Sequence, residues 1–205
     1  MGRTSDAKDR LMTAALDLMW EGSYGAITID DICERAEVKK GSFYYFFESK
    51  ADLVITALER LWLEKWKPAL DAQFSASVEP LKRLTNYMEA IYHKQVEAKK
   101  DSGRVLGCPV CSVGSEISTK DQLLGDKIRE ICAHKRRYFE SAIRDAVAEG
   151  SIEPCDPVER ATSLIGLMEG ILTQGRIMND TEIIRRLPTM ALDLLRTKTS
   201  AAVPA

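Results

Sequence analysis

Two groups of side chains in this sequence could do chemistry. Cys108-Pro109-Val110-Cys111 sets two thiols three positions apart, and Lys39, Lys40, Ser42, Tyr44 and Tyr45 gather ammonium, hydroxyl and phenol groups in one short stretch. Thiols at C-x-x-C spacing serve disulfide exchange, metal ligation or sensing. Exchange of the thioredoxin type needs a strand-helix context, and no strand pattern surrounds this pair. A structural zinc site wants four ligands, and neither a second C-x-x-C nor an H-x-x-x-H is present. Two readings stay open: thiols beside a helix N-terminus, acidified and reactive towards oxidants or electrophiles, or small apolar side chains packed near a pocket. The second group suits an anionic polymer. Hydroxyls and ammonium groups hold phosphate oxygens and fix register. A lysine can also donate to a guanine edge, and a tyrosine ring can lie on a thymine methyl.

Other chemistry is poorly supplied. The chain has two histidines. No Ser-His-Asp grouping, phosphate loop, paired-acid motif or metal-ligand cluster stands out, so no catalytic residue, cofactor or metal and no enzyme activity is expected. His93 and His134 sit among polar neighbours and are expected at the surface.

The elements that must position the second group lie between Thr28 and Asp52. Thr28 followed by Asp31 has the form of a capping box. Ile29, Ile32, Ala36 and Val38 then give a buried face at helical spacing. Ala36-Glu37-Val38 makes a turn, and a second helix begins near Lys39. It turns Lys40, Ser42, Tyr44 and Tyr45 outward while Phe43, Phe46 and Phe47 pack inward. Ser49 and Asp52 repeat the capping box at the start of a third helix. Lys50 in that first turn opposes the helix dipole, which makes sense opposite a phosphate. The arrangement is a helix-turn-helix, whose second helix would lie in a DNA major groove.

The wording of this stretch also points to a family. Thr28-Ile29-Asp30-Asp31-Ile32, then Ala36, Val38 and Gly41-Ser42-Phe43-Tyr44-Tyr45-Phe46-Phe47-Glu48-Ser49-Lys50, with Tyr24-Gly25 upstream, resemble the N-terminal domain of the TetR family of transcriptional regulators. The rest of the chain resembles that family only in helical layout. Four positions depart from the family pattern. Glu37 stands where glycine is frequent, at a cost of about 1 kcal/mol if the backbone there is left-handed. Lys39 replaces the usual Ser or Thr that opens the reading helix, Cys33 replaces Ala, and Tyr45 replaces His. The expected DNA-contact set is Thr28, Lys39, Lys40, Gly41, Ser42, Phe43, Tyr44, Tyr45 and Lys50. Within it Gly41 lets the backbone come close.

Composition agrees with a helical protein in water: 45% hydrophobic and 29% charged residues, and no apolar run of the ~18 residues a membrane span needs. The N-terminus does not read as a signal peptide. A cytoplasmic location follows, and the odd count of five cysteines fits reduced thiols. A net charge of -2 does not itself suggest nucleic acid. From Thr28 to Lys50 four cations stand against five anions, yet placement outweighs the sum, because phosphate contacts act within ~8–10 Å. Arg3, Lys8 and Arg10 add cations on the N-terminal segment.

The expected fold is all-α: residues 1–50 form the DNA-binding domain and residues 51–205 a helical bundle for ligand binding and dimerisation. Met1 to Thr4 reads as a loose arm, with Ser5 capping a helix from Asp6 to Trp20. A helix from Lys50 runs towards Trp66, where Pro68 ends or kinks it. The next runs from Pro80 to about Ala98 with a stripe of Leu81, Leu84, Met88, Ile91 and Gln95, and Lys99 to Gly103 is a polar loop. A short helix lies within residues 106–118. A long one spans Asp121 to Glu149, burying Leu124, Ile128, Ile131, Cys132, Phe139, Ala142, Ile143 and Ala146. Asp156-Pro157 starts another helix, one from about Asp180 to Thr197 follows, and Ser200 to Ala205 is a tail.

The last two helices carry wide apolar faces that must be buried. Gly166 and Gly170 each cost about 1 kcal/mol relative to Ala, which close approach of another helix would explain. A four-helix interface between two copies fits, and the resemblance implies the same. It also implies a repressor of double-stranded operator DNA, released when a small-molecule effector binds. The candidate lining is Trp62, Trp66, Tyr87, Met88, Ile91, Tyr92, Cys108, Cys111, Phe139 and Met168, a mainly apolar set that would equally serve as plain core.

Overall fold

The computed structural model describes residues 2–117 and 119–197, with side chains from residue 6 onward. Among these residues the regular elements are helices, apart from one isolated antiparallel bridge between Ile152 and Thr197. The all-α architecture expected from the pattern is what folds. No helix among the described residues is long and apolar enough to cross a membrane. Met1, Ser118 and the expected tail Ser200 to Ala205 lie outside the described residues.

The chain divides into two compact units. The first takes the chain up to Ala69 together with Cys108–Cys132, and the second takes Leu70–Gly107 together with the chain from Ala133 on.

In the first unit α1 (Gly2–Glu21) starts earlier than the sequence suggests, so the backbone from Gly2 to Ser5 is helical where a loose arm and a cap are expected. Its buried residues Leu11, Ala14, Ala15 and Met19 repeat at three- and four-residue intervals, and it packs against α2 (Ile29–Arg35), α3 (Lys40–Phe46) and α4 (Lys50–Leu61). Phe43, Phe47, Leu53 and Ala57, each 2% exposed or less, supply the other side of this small core.

The helix from Lys50 does not stop at Pro68. After α4 the chain widens into one π-helical turn, Trp62–Trp66, in which the Lys67 amide bonds to the Trp62 carbonyl, and α5 (Lys67–Gln73) carries on. Proline lacks an N–H and its ring crowds the carbonyl four residues back. A wider turn just before it removes both conflicts, so the proline leaves a bulge where the sequence suggests an end or a kink.

The second unit is built on α6 (Pro80–Ser102), which runs through the expected polar loop to Ser102 and ends at Gly103 with φ 73. No residue between Lys99 and Ser102 breaks a helix, and Gly103 supplies the left-handed C-cap. Arg83, 3% exposed, donates to the carbonyls of Val78 and Ala76 and pairs with Asp145. Gln95 accepts from the Leu106 and Gly107 amides and donates to the Gly107 carbonyl, which gives both ends of a buried side-chain amide a partner.

The first unit also contains α7 (Pro109–Ile117). The long helix α8 (Gln122–Ala148) has residues in both units. It buries Leu124, Ile128, Ile131, Phe139, Ala142, Ile143 and Ala146, but Cys132 is exposed, contrary to expectation. In α9 (Pro157–Met178), Asp156 accepts from the Val158 and Glu159 amides as the sequence predicts. The expected last helix is broken. α10 (Glu182–Arg185) and α11 (Leu187–Leu195) meet at Arg186, because Pro188 can occupy only the first turn of a new helix.

Candidate nucleic-acid interface

The entry to α2 is a complete capping box. Thr28 Oγ1 accepts from the Asp31 amide at 3.1 Å, and the Asp31 carboxylate accepts from the Thr28 amide at 2.8 Å and from its hydroxyl at 2.7 Å. These bonds, the backbone one first, hold the Asp31 carboxyl below the usual aspartate range. At α4 only half the motif recurs. Ser49 Oγ accepts from the Asp52 amide, whereas the Asp52 carboxylate takes the Glu48 amide in place of the Ser49 amide. The turn between α2 and α3 closes with the Val38 amide on the Cys33 carbonyl and Glu37 at φ 53.

This scaffold sets the face of α3. Lys39, at the N-cap, makes no side-chain cap bond. Lys39, Lys40 and Gly41 are exposed and Ser42 is half-buried. Tyr44 and Tyr45 are 56% and 76% exposed, large values for aromatic rings, although each meets one phenylalanine edge-on, Phe43 and Phe46 respectively. Nothing lies within 4 Å of a Cβ placed at Gly41, so the backbone there is open to a close partner. The opposite face is sealed. Phe43 is 0% exposed and packs edge-on against Tyr44 and tilted against Phe47, and burial pushes the Cys33 thiol up.

Two of the expected contact residues are placed differently from the rest of the set. Phe43 has no surface to offer DNA and acts by anchoring α3. Lys50 is not a free cation. Its ammonium donates to the Tyr24 carbonyl at 2.8 Å and the Ile27 carbonyl at 2.6 Å, and lies 4.2 Å from the centre of the Tyr24 ring. Burial pulls it below the usual lysine range, against the opposing pull of Glu116 and Asp31. The N-terminal cations are likewise employed. Arg10 donates to the Ala36 carbonyl at 2.9 Å, and Lys8 lies 5.5 Å from the centre of the Phe47 ring. The Arg3 side chain lies outside the described ones.

Sequence reasoning missed Asp30, whose carboxylate pairs with Lys40 at 2.7 Å. It also missed Glu116, which accepts from the Gly25 amide at 2.8 Å. The first had a signal, a carboxylate and an ammonium on adjacent helices. The second had none, because the partners are 91 positions apart.

The expected ligand set falls into two groups. Trp62, Trp66, Cys108 and Cys111 belong to the first unit. Trp62 is buried and the other three are half-buried. The Cys108 and Cys111 sulfurs lie within 4.8 Å of each other. Tyr87, Met88, Ile91, Tyr92, Phe139 and Met168 belong to the second unit. Met88, Phe139 and Met168 are 0% exposed. Tyr87 and Phe139 meet edge-on at 5.4 Å, and Phe74 lies within 6 Å of both as well as of Tyr138. Ile91 and Tyr92 are half-buried. Burial and a bond to Asp71 push the Tyr138 phenol up to about 12.

An exposed, cation- and hydroxyl-bearing helix held by a capped turn defines a DNA-binding transcriptional regulator of the helix-turn-helix kind. The comparisons agree. Residues 11–57 match the family described as bacterial regulatory proteins, tetR family, and residues 80–190 match the tetracyclin repressor-like C-terminal domain. The chain belongs to the TetR family of transcriptional regulators. It is 26% identical to the HTH-type transcriptional repressor DhaR of Mycobacterium sp. (strain GP1), over 95% of this chain and 94% of that one. An HTH-type regulator in the lacX 3' region of Lactococcus lactis is 28% identical, over 57% of this chain and 58% of its own length. The crystal structure of E. coli NemR in its reduced form shares the fold with a TM-score of 0.79 at 19% identity, covering 95% of this chain and 99% of that one.

Proposed function

We propose that the protein is a ligand-responsive repressor that binds palindromic operator DNA as a homodimer and leaves it when a small, mainly apolar effector binds. The observation that carries this reading is the division of α3 into a sealed face, with Phe43 at 0% exposure, and an open face bearing Lys39, Lys40, Ser42, Tyr44 and Tyr45. Among these, the lysines, Ser42 and Tyr44 are the candidates for base edges, and Thr28, Ser42, Tyr44 and Tyr45 for phosphates. A two-fold pair of such helices spans half-sites about 34–36 Å apart. Dimerisation is assigned to the exposed side of α9, where Gly166 and Gly170 stand beside exposed Ile177 and Met178. The relative DhaR is named as a repressor, which supports the sign of regulation. The effector is assigned to the aromatic and methionine-rich part of the second unit, including Tyr87, Met88, Ile91, Tyr92, Phe139 and Met168.

A second reading rests on the two sulfurs of Cys108 and Cys111, within 4.8 Å of each other at the start of α7. Here a peroxide-class oxidant takes two electrons and two protons from the pair, leaving a disulfide, and that change replaces reversible effector binding. The NemR relative solved in a reduced form supports asking the question. One experiment separates the readings. Mobility-shift titrations use the full-length protein and a duplex from upstream of its own gene. They are repeated with hydrogen peroxide and with hits from a thermal-shift screen of small apolar compounds. The first reading expects release by a compound in both wild type and the Cys108→Ser/Cys111→Ser variant. Release by peroxide that disappears in that variant establishes the second. No binding to the duplex under any condition sinks both.

A further inference from the structure

The loop between α1 and α2 is held from outside itself. The Tyr24 ring is buried at 7% exposure, and the carbonyls of Tyr24 and Ile27 are both taken by the Lys50 ammonium at the head of α4. Between them the Gly25 amide points away, towards Glu116 Oε1 at 2.8 Å. Glu116 lies in the last turn of α7, a helix that also packs on α1, and all of these groups belong to the first unit. The loop therefore sits between a cation from the third helix of the reader and an anion from a helix more than 80 residues further on. Residue 25 must be small for this to happen. A Cβ built there would collide with Glu116 Oε1, while no other atom stands in its way except the carboxyl carbon at 3.5 Å.

We propose that Glu116 is a positioning residue for DNA binding: its carboxylate latches the loop that enters α2, and so ties the seating of the reading helices to the placement of α7. The inference rests on the reading of α3 as the DNA-reading helix, and adds how a helix distant in sequence controls it. The physical reason is ordering. The segment between Gly22 and Thr28 joins two helices through a turn that neither helix continues, and α2 and α3 of each copy must present one fixed surface to a half-site. With the latch closed that order exists before DNA arrives. With it open, binding has to impose the order, and affinity falls accordingly. A shift of α7 by the length of one hydrogen bond is enough to open it, because such bonds weaken steeply with distance and angle.

Gly25→Ala is the informative variant, because it expels the carboxylate while leaving Glu116 in place. The new methyl group meets the far end of a flexible side chain rather than backbone, and position 25 does not need a left-handed conformation. Glu116→Ala removes the acceptor from the other side, and Glu116→Gln keeps a carbonyl acceptor. The test uses full-length protein, hydrogen-exchange mass spectrometry of the free form, and fluorescence anisotropy with the upstream duplex. Both alanine variants should speed exchange in the peptide spanning residues 22–32 and weaken duplex binding by about three- to tenfold, the size expected for one hydrogen bond to a partly exposed charged acceptor. Glu116→Gln should stay within about twofold of wild type in binding, and the double alanine variant should be no weaker than either single one, as for two halves of one contact. Unchanged loop exchange in the alanine variants overturns the latch. Faster exchange with unaltered binding overturns its positioning role. If the wild type itself ignores the duplex, the regulator reading fails and takes that role with it, and the exchange comparison tells this failure apart from the absence of a latch.

Discussion

The Lys40 ammonium sits 2.7 Å from Asp30 Oδ1 and 3.0 Å from Oδ2, so the first cation of the reading helix is already paired with a carboxylate of the helix before it. Both side chains are more than half exposed, and a pair this wet contributes little to folding. Its consequence is for binding, because a DNA group that takes the Lys40 ammonium has to displace Asp30. The hydrogen bond that Lys40 donates to Asp30 also raises the Lys40 pKa, so the side chain stays charged throughout. Asp30→Asn should tighten operator binding by about two- to fivefold at low salt, a gain that shrinks as salt screens the phosphates. Lys40→Ala should weaken operator binding and lower the salt slope by about one per subunit. Anisotropy titrations at several salt concentrations check both. Identical slopes for all three proteins would remove Lys40 from the interface.

The capping box makes α2 sensitive to acid in a defined direction. The Thr28 amide and hydroxyl bond the ionised form of Asp31, which lowers its pKa in the folded chain. A depressed native pKa means the contribution is complete above the unfolded aspartate pKa and drains away as the pH falls through the folded value. Urea midpoints of wild type and Asp31→Asn should therefore differ at neutral pH and converge once the pH passes below the ordinary aspartate range. Thr28→Ala should cost about 1 kcal/mol at neutral pH. A gap that stays constant down to the acid limit would assign the effect to something other than this carboxylate.

Caps of this kind are the most legible part of the chain, because signal and effect lie within three residues. Thr28, Ser49 and Asp156 cap in the structure as their spacing suggests. Legibility falls with sequence distance. Lys50 reads as a phosphate ligand because its first-turn position is anomalous, yet the acceptors it answers to are a pair of backbone carbonyls 23 and 26 residues upstream. Glu116 carries no local signal at all. Backbone adjustments are hidden for a different reason. Pro68 announces a conflict but not its resolution, which is a wider turn of helix rather than an end. Pro188 does announce a helix start, and a reading of α10 and α11 as one helix overlooks it.

Glu37 tests how far the turn tolerates a side chain. It holds φ 53 directly after α2, the position where glycine carries no Cβ penalty. Glu37→Gly should relieve about 1–2 kcal/mol of local strain while giving the unfolded chain about 0.4–1 kcal/mol of extra freedom. The expected net gain is about 0.5–1 kcal/mol, or about 2–3 °C in Tm for a chain of this size. Because Arg10 donates to the Ala36 carbonyl at 2.9 Å, the turn should keep its shape. A variant less stable than wild type would mean that the Glu37 side chain contributes more than its backbone costs.

Gly166 and Gly170 give the sharpest test of the dimer, because protomer and assembly respond to them in opposite directions. Within one chain nothing lies within 4 Å of a Cβ at either position, and both residues are exposed on α9. In an isolated protomer Gly166→Ala should therefore stabilise, by about 0.8–1.0 kcal/mol of recovered helix propensity. If a second α9 lies close against this face, larger side chains cannot be accommodated. Gly166→Leu/Gly170→Leu should then shift the protein to monomer in sedimentation while its helicity by circular dichroism stays intact. Operator binding should fall in step, since a lone protomer reaches one half-site and loses the gain that linked half-sites provide. A Leu variant that remains dimeric and still binds would move the interface off this stretch of α9.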